Sequence, residues 1–218
     1  MGRQVRNDML DDQSAIGIGA SSGQDAAGSA NRRADQRHLS VFRVGKLITP
    51  AGQELCLVRN ISSGGLMAHI YSPHQAGEHV AIELKAGSTV SGNIVWSRDK
   101  KIGVQFDDKV EVAEVLAPQP NEDEANHIAR APRLDVKRRG RLRVGAHYQL
   151  IEIQDISQGG TKFAPAGDIK TGDEVVLLLD GLPPLSGIIR WRHGEAAGIT
   201  FKTSIPFEQL AQWIAQQR

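Results

Sequence analysis

The segment Asn60-Ile61-Ser62-Ser63-Gly64-Gly65 returns as Asp155-Ile156-Ser157-Gln158-Gly159-Gly160. From Asn60 to Asp155 the offset is 95 residues. The same offset, without a gap, carries Gly92 to Gly187, Trp96 to Trp191, Gly103 to Gly198 and Phe106 to Phe201. Agreement at two tryptophans and several glycines under one offset marks an internal duplication. The period is too long for a solenoid repeat and suits a small domain. The 218-residue chain is therefore expected to fold as two like domains rather than one large one.

Between the repeat marks the residues alternate with the period of strands. In the first copy, Val41 to Leu47 alternates loosely. A turn at Pro50-Ala51-Gly52 leads into the apolar run Leu55 to Val58, and Gly64-Gly65 bends the chain into Leu66 to Tyr71. Val80 to Leu84, Val90 to Trp96 and Ile102 to Phe106 complete a set of about six short strands, with turns at Ala86-Gly87-Ser88 and Arg98 to Lys101. So many short strands in so short a span predict a small closed antiparallel barrel, because closure removes the exposed edges of a small sheet. Glu111 to Leu116 has room for one or two helical turns. The second copy offers Gly140–Val144, His147–Ile156, Thr161–Phe163, Glu174–Leu179, Leu185–Trp191 and Gly198–Phe201 as strands. After Pro206, the spacing of Phe207, Leu210, Trp213 and Ile214 predicts an amphipathic terminal helix. The expected fold is all-β with minor α: two small six-stranded antiparallel barrels, each followed by a short helix.

The rest of the chain reads as connection. Residues 1–30 are polar, rich in Gly, Ser, Ala and Asp, and are expected to form a disordered tail. Within it, Gly19 to Gly23 lacks the Lys-Ser/Thr ending of a phosphate loop and reads as linker. Asn31 to Ser40 holds Arg32, Arg33, Arg37 and His38 and reads as a basic hinge. Domain 1 is expected over 31–116, a Pro-containing polar linker over 117–132, and domain 2 over 133–218.

Several function classes are disfavoured at once. Net charge is +1, so no global field draws in a nucleic acid polymer or an acidic membrane, and any anion site must be local. The single cysteine, Cys56, cannot form an internal disulfide and sits in an apolar run as a packed strand thiol. No apolar stretch approaches the ~20 residues of a membrane span, and the N-terminus carries no apolar core of signal-peptide length. The expected location is the cytoplasm. His69, His74 and His79 are spaced for no helical metal face, and no Cys-x-x-Cys or His-Glu-x-x-His occurs. Ser62 and Ser157 lack the Gly-x-Ser-x-Gly elbow of a nucleophile. The chain is read as a non-enzyme with no metal and no cofactor. Trp96 and Trp191 are read as core or barrel-wall packing.

What remains is Asn/Asp-x-Ser-x-x-Gly at two strand ends, with arginines upstream. Short polar side chains donate and accept at fixed geometry, and glycine lets backbone approach a ligand or take a positive φ. The bland alternative is a side-chain turn that ends a strand. Arg33-Ala34-Asp35-Gln36-Arg37 matches Arg-x-x-x-Arg, and Asn60-x-Ser62-x-x-Gly65 follows some 23 residues later. A Gly-x-Ile-Val-Trp strand and a Gly-Val-x-Phe strand come after. In this order the motifs resemble the PilZ domain family, bacterial receptors of cyclic di-GMP, over about 31–116 and 133–214. The resemblance implies a six-stranded barrel with a C-terminal helix, cyclic di-GMP as ligand, and Arg33, Arg37, Asn60, Ser62 and Gly65 as the binding set. Arginine suits such a ligand, since its planar fork pairs with phosphate and with guanine O6/N7 and stacks on purines.

The second copy keeps Asp155, Ser157 and Gly160 but departs in its arginines. Arg139 and Arg143 satisfy the spacing, yet Arg143 lies only 12 residues before Asp155. If Gly140–Val144 is already a strand, they point outward on a wall. Arg133-Leu134-Asp135-Val136-Lys137 is better placed but carries lysine, which lacks the guanidinium fork. A second site would comprise Arg139, Arg143, Asp155, Ser157 and Gly160. The resemblance implies an effector that binds cyclic di-GMP and a protein target, acting on motility, exopolysaccharide or the cell cycle. The alternative is a ligand-independent tandem barrel that serves as a protein-interaction scaffold.

Overall fold

The computed structural model describes residues 39–85, 88–117, 131–165 and 167–216. Arg33, Arg37, the expected tail and nearly all of the expected linker lie outside them. Barrel 1 comprises β1 (Leu39–Thr49), β2 (Gly52–Ser62), β3 (Gly65–His69), β4 (His79–Lys85), β5 (Ser88–Arg98) and β6 (Lys101–Phe106), followed by α1 (Val112–Leu116). Barrel 2 comprises β7 (Leu134–Val144), β8 (His147–Ser157), β9 (Gly160–Ala164), β10 (Glu174–Leu178), β11 (Leu185–His193) and β12 (Ala196–Phe201), followed by α2 (Phe207–Ala215). Both close in the same order, β1-β2-β3-β6-β5-β4 and β7-β8-β9-β12-β11-β10, with every pair antiparallel.

The duplication extends to irregularities of register. A bulge in the β1–β2 pairing between Ser40 and Arg43 recurs between Asp135 and Arg138, and one between Val58 and Asn60 recurs between Ile153 and Asp155. A third, between Ile94 and Trp96, recurs between Ile189 and Trp191. Each tryptophan then lies on the outside of the wall, its indole against the glycine paired with it. A Cβ on Gly103 would sit 2.1 Å from Trp96 Nε1, and one on Gly198 would sit 2.2 Å from Trp191 Nε1. With Trp191 41% exposed, wall packing is the role of this pair, and the interior is filled by aliphatic side chains together with Phe106, Phe163 and Phe201.

The main departure from the sequence expectation is the start of β7. It begins at Leu134, six residues before the expected Gly140, because buried Leu134 and the half-buried Val136 join the second core. The helices finish the barrels. Glu111 caps α1 by accepting the Ala113 amide at 3.3 Å, and Arg43 reaches the carbonyl of Leu116 at 2.6 Å, a cation at the helix C-terminus. In α2, Leu210, Ala211, Trp213 and Ile214 are buried, and Trp213 Nε1 donates to Asp180 O at 2.7 Å. Burying side chains of this size contributes roughly 1.5–3 kcal/mol each.

The two barrels meet along the outer face of β1–β2. Leu55 points away from its own barrel, since its neighbours Glu54 and Cys56 point inward. It is nonetheless 1% exposed because it packs with the core of barrel 2, as do Val44 and Tyr71. Gln53 exchanges two hydrogen bonds with Asp135: Nε2 donates to Oδ2 at 2.8 Å, and the Asp135 amide donates to Oε1 at 3.0 Å. Tyr71 meets Phe207 of α2 edge to face at 5.7 Å.

Candidate functional site

The repeated motif forms the β2–β3 hairpin and its copy, β8–β9. Val58 and Ile61 are both fully buried with two residues between them. A regular strand would bury only alternate residues. The bulge supplies the extra residue, so Arg59 and Asn60 both stand outside the wall. Phe42, 77% exposed, lies opposite in the β1 bulge, and the Arg59 guanidinium rests 4.4 Å from the centre of its ring. Ile153 and Ile156 repeat the arrangement, placing Gln154 and Asp155 outside.

Ser62 and Gly65 have structural work. The buried Ser62 hydroxyl donates to the Gly65 carbonyl at 3.2 Å, and Ser157 donates to Gly160 at the same distance. The loop carbonyls are also used: Gly64 O accepts Phe106 N at 2.9 Å and Ser63 O accepts Val110 N at 2.9 Å. Gly65 is required by close approach of β6 rather than by a positive φ, since its Cβ would sit 2.4 Å from Val104 O. Gly160 would meet Ile199 O at 2.3 Å. The hairpin is thus a tightly held corner, and the strand leading into it presents Arg59 and Asn60 outward.

In barrel 2 the equivalent carboxylate is engaged. Asp155 Oδ1 accepts the Lys162 amide at 3.0 Å and Arg133 Nη1 at 2.9 Å, while Thr161 Oγ1 donates to the Asp155 carbonyl. Arg139 and Arg143 are not brought to it. Both lie within β7, opposite Glu152 and Tyr148, whereas Asp155 pairs with Asp135. Inward Gly140 and Leu142 leave Arg139, Arg141 and Arg143 on the outer wall. Of the candidate arginines of the second copy, Arg133 is the one that meets Asp155.

The neighbourhood of Arg59 is polar and cationic. Burial, with Arg59 and Lys100 nearby, pushes the His69 imidazole below its ordinary value. Burial and Glu208 push the Tyr71 phenol up. His69 and Tyr71 touch edge to face at 5.0 Å, and Tyr71 continues onto Phe207. Arg59, whose charge acts on both His69 and Tyr71, therefore stands near the seam between the barrels. Phe42 and Arg59 were not foreseen from sequence. Arg59 directly precedes the motif, but a bulge that swings it over Phe42 leaves no mark in a pattern of period two.

Other polar clusters carry different roles. His74 is buried between two glutamates, with Nε2 2.5 Å from Glu54 Oε1 and Nδ1 2.7 Å from Glu78 Oε2. Cys56 is fully buried, and burial pushes its thiol up to about 12. Among the described residues no cluster of His, Cys, Asp and Glu is arranged to hold a metal ion, and no helix is long and apolar enough to cross a membrane.

Comparison with known proteins places this architecture. No curated protein sequence matches. Among solved structures, the PlzA protein of Borreliella burgdorferi in complex with c-di-GMP is similar at 12% identity, with 79% of this chain and 87% of that chain covered and a TM-score of 0.35. YcgR of Escherichia coli in complex with c-di-GMP follows at 10% identity, 80% and 83% coverage and a TM-score of 0.30. The Bacillus subtilis inhibitor of motility (MotI/DgrA) is similar at 11% identity, 82% and 97% coverage and a TM-score of 0.32. The family model described as PilZ domain matches residues 31–116 and again 128–216, each match taking in one barrel and its helix. The chain belongs to the PilZ domain family, in two tandem copies.

Proposed function

We propose that the protein is a non-enzymatic cyclic di-GMP receptor whose ligand site lies on barrel 1. The observation that carries this reading is the doubled bulge that sets Arg59 and Asn60 outside the wall, beside Phe42. Arg33-x-x-x-Arg37 supports it from sequence: the chain reaches β1 two residues after Arg37, and Leu39 at the start of β1 pairs with Ile61 of the motif strand. Arg33 and Arg37 supply bidentate donors to phosphate and guanine, and the Asn60 amide offers a donor and an acceptor to a guanine edge. Ser62 and Gly65 act by holding the hairpin. The downstream effect falls on a protein target in motility, exopolysaccharide production or the cell cycle.

Calorimetric titration with cyclic di-GMP tests the reading. Each arginine is worth roughly 1.5–3 kcal/mol as a charge-assisted donor, so Arg33→Ala or Arg37→Ala is expected to weaken binding about ten- to a hundredfold. Unchanged affinity in the double variant would sink the assignment. For barrel 2 a ligand-independent interaction role is favoured, because Asp155 is already engaged by Arg133 and the Lys162 amide. Heat that survives Arg33→Ala/Arg37→Ala but disappears with Asp155→Ala would overturn that second reading.

A further inference from the structure

The offset between barrels allows one face to be compared with its own copy. In barrel 1 the outer face of β1–β2 carries Val44, Lys46 and Ile48 on one strand and Gln53, Leu55 and Leu57 on the other. This face is covered: Val44 and Leu55 pack into the core of barrel 2, and Gln53 binds Asp135. The corresponding positions in barrel 2 are Arg139, Arg141 and Arg143 on β7 and Tyr148, Leu150 and Glu152 on β8. Here nothing covers the face among the described residues. Leu150 is 69% exposed and Tyr148 60% exposed, where the equivalent Leu55 is 1% exposed.

The charge on the two faces also differs. Lys46 is neutralised by Glu83 on the neighbouring strand β4, at 2.6 Å. At the position of Glu83, barrel 2 has Leu178, which pairs with Arg141, and Val176 pairs with Arg143. The carboxylate that would balance the column has been replaced by an aliphatic side chain. Three exposed arginines are left on one strand, flanked by Tyr148 and Leu150 on one side and by Val176 and Leu178 on the other. Glu152, opposite Arg139, is the acidic side chain within the patch. None of the three arginines forms an ion pair with a described residue.

We propose that the outer face of β10, β7 and β8 is a docking surface for an acidic amphipathic helix of a partner protein. The arginine column takes its carboxylates, and Leu150, Leu178 and Tyr148 take its apolar stripe. A protein segment fits better than a nucleic acid, because aliphatic side chains beside the arginines offer nothing to a phosphate backbone, and because the copy of this face in barrel 1 is covered by protein. The longer helix of a second copy, α2, does not supply this segment. It carries one acidic residue, Glu208, and is already packed on its own barrels through Phe207, Leu210, Trp213 and Ile214. The proposal stands independently of ligand binding at barrel 1.

The test is fluorescence anisotropy on the full chain with three labelled probes. One is a helical peptide of about four turns with a leucine stripe flanked by glutamates. The second is the same peptide with lysine for each glutamate, and the third is a single-stranded oligonucleotide. The wild type is expected to bind the acidic peptide at least about tenfold more tightly than the basic one. Arg139→Glu/Arg141→Glu/Arg143→Glu is expected to reverse that preference, Leu150→Ser to weaken the acidic peptide, and Arg190→Glu, on β11, to leave it unchanged. Equal affinity for the two peptides, absence of binding, or tighter binding of the oligonucleotide through the same arginines would each overturn the proposal. The wild-type comparison decides even where a variant fails to fold.

Discussion

Replacing His74 with isoleucine in barrel 1 is expected to expose the energetics of a polar cluster that barrel 2 has done without. His74 bridges Glu54 at 2.5 Å and Glu78 at 2.7 Å, and Ser72 also donates its hydroxyl to Glu54. Glu54 is fully buried on the inward face of β2. At the matching positions barrel 2 has Gln149, Gly167, Ile169 and Asp173 for Glu54, Ser72, His74 and Glu78. His74→Ile takes the imidazole from a carboxylate with no access to water, at a cost of about 3–5 kcal/mol. In a cooperative unit of this size that lowers Tm by about 6–20 °C. Glu54→Gln leaves His74 bonded to Glu78 and costs about 1–3 kcal/mol. The double variant Glu54→Gln/His74→Ile reproduces the pair that barrel 2 already holds, so it is expected to lose less than the sum, with a coupling of at least about 2 kcal/mol. Urea unfolding of the four proteins measures the cycle. Additivity to within about 0.5 kcal/mol would refute the claim that these side chains act as a unit.

The same cluster predicts a pH dependence with a definite sign. The bond to Glu54, foremost, and the bond to Glu78 hold the His74 imidazole above its ordinary value, against the opposing effect of burial. A raised folded value means that the native state binds the proton more tightly than the unfolded state. The stabilisation is then complete below about pH 6.5 and is lost as pH rises through the folded value. The stability gap between the wild type and His74→Ile should therefore narrow from acidic to alkaline pH in urea melts.

Two further perturbations probe the frame. Gly65→Ala forces a Cβ to 2.4 Å from Val104 O, backbone that cannot step aside, and should cost about 1–3 kcal/mol, whereas Gly64→Ala meets nothing within 4 Å and should melt like the wild type. Leu55→Asp places a carboxylate in the packed seam between the barrels. It is expected to split the thermal unfolding endotherm in two, and a single unchanged transition would show that the seam carries little stability.

The barrels were legible because the second copy repeats the first under one offset, and because most turns, though not Arg98 to Lys101, carry glycine or proline where the chain reverses. The length of β7 was not legible: Arg138 to Arg143 reads as a basic segment, and its inward partners, Gly140 and Leu142, are too few to reveal a strand reaching back to Leu134. Leu55 to Val58 did carry an unused signal. Four apolar residues without alternation mark a strand covered on both faces, and the second cover proved to be barrel 2. At the candidate site, the Asn60 motif was visible as a motif, but its division of labour was not. Ser62 and Gly65 look like ligand groups in sequence, and the structure adds a second task, since the Ser62–Gly65 hydrogen bond and the close approach of β6 hold the hairpin. Glu54 and His74 are 20 residues apart, one just before an apolar run and the other in a loop, so no local pattern joins them.

The single cysteine has a practical consequence. Cys56 is sealed inside barrel 1, and its thiol is pushed up to about 12, so at neutral pH almost no reactive thiolate reaches solvent while the barrel is closed. A thiol-reactive dye therefore acts as a stopwatch for the opening of barrel 1 alone, since barrel 2 has no cysteine to report. A cysteine introduced at a surface position would label cleanly against this silent background, with the native residue left in place.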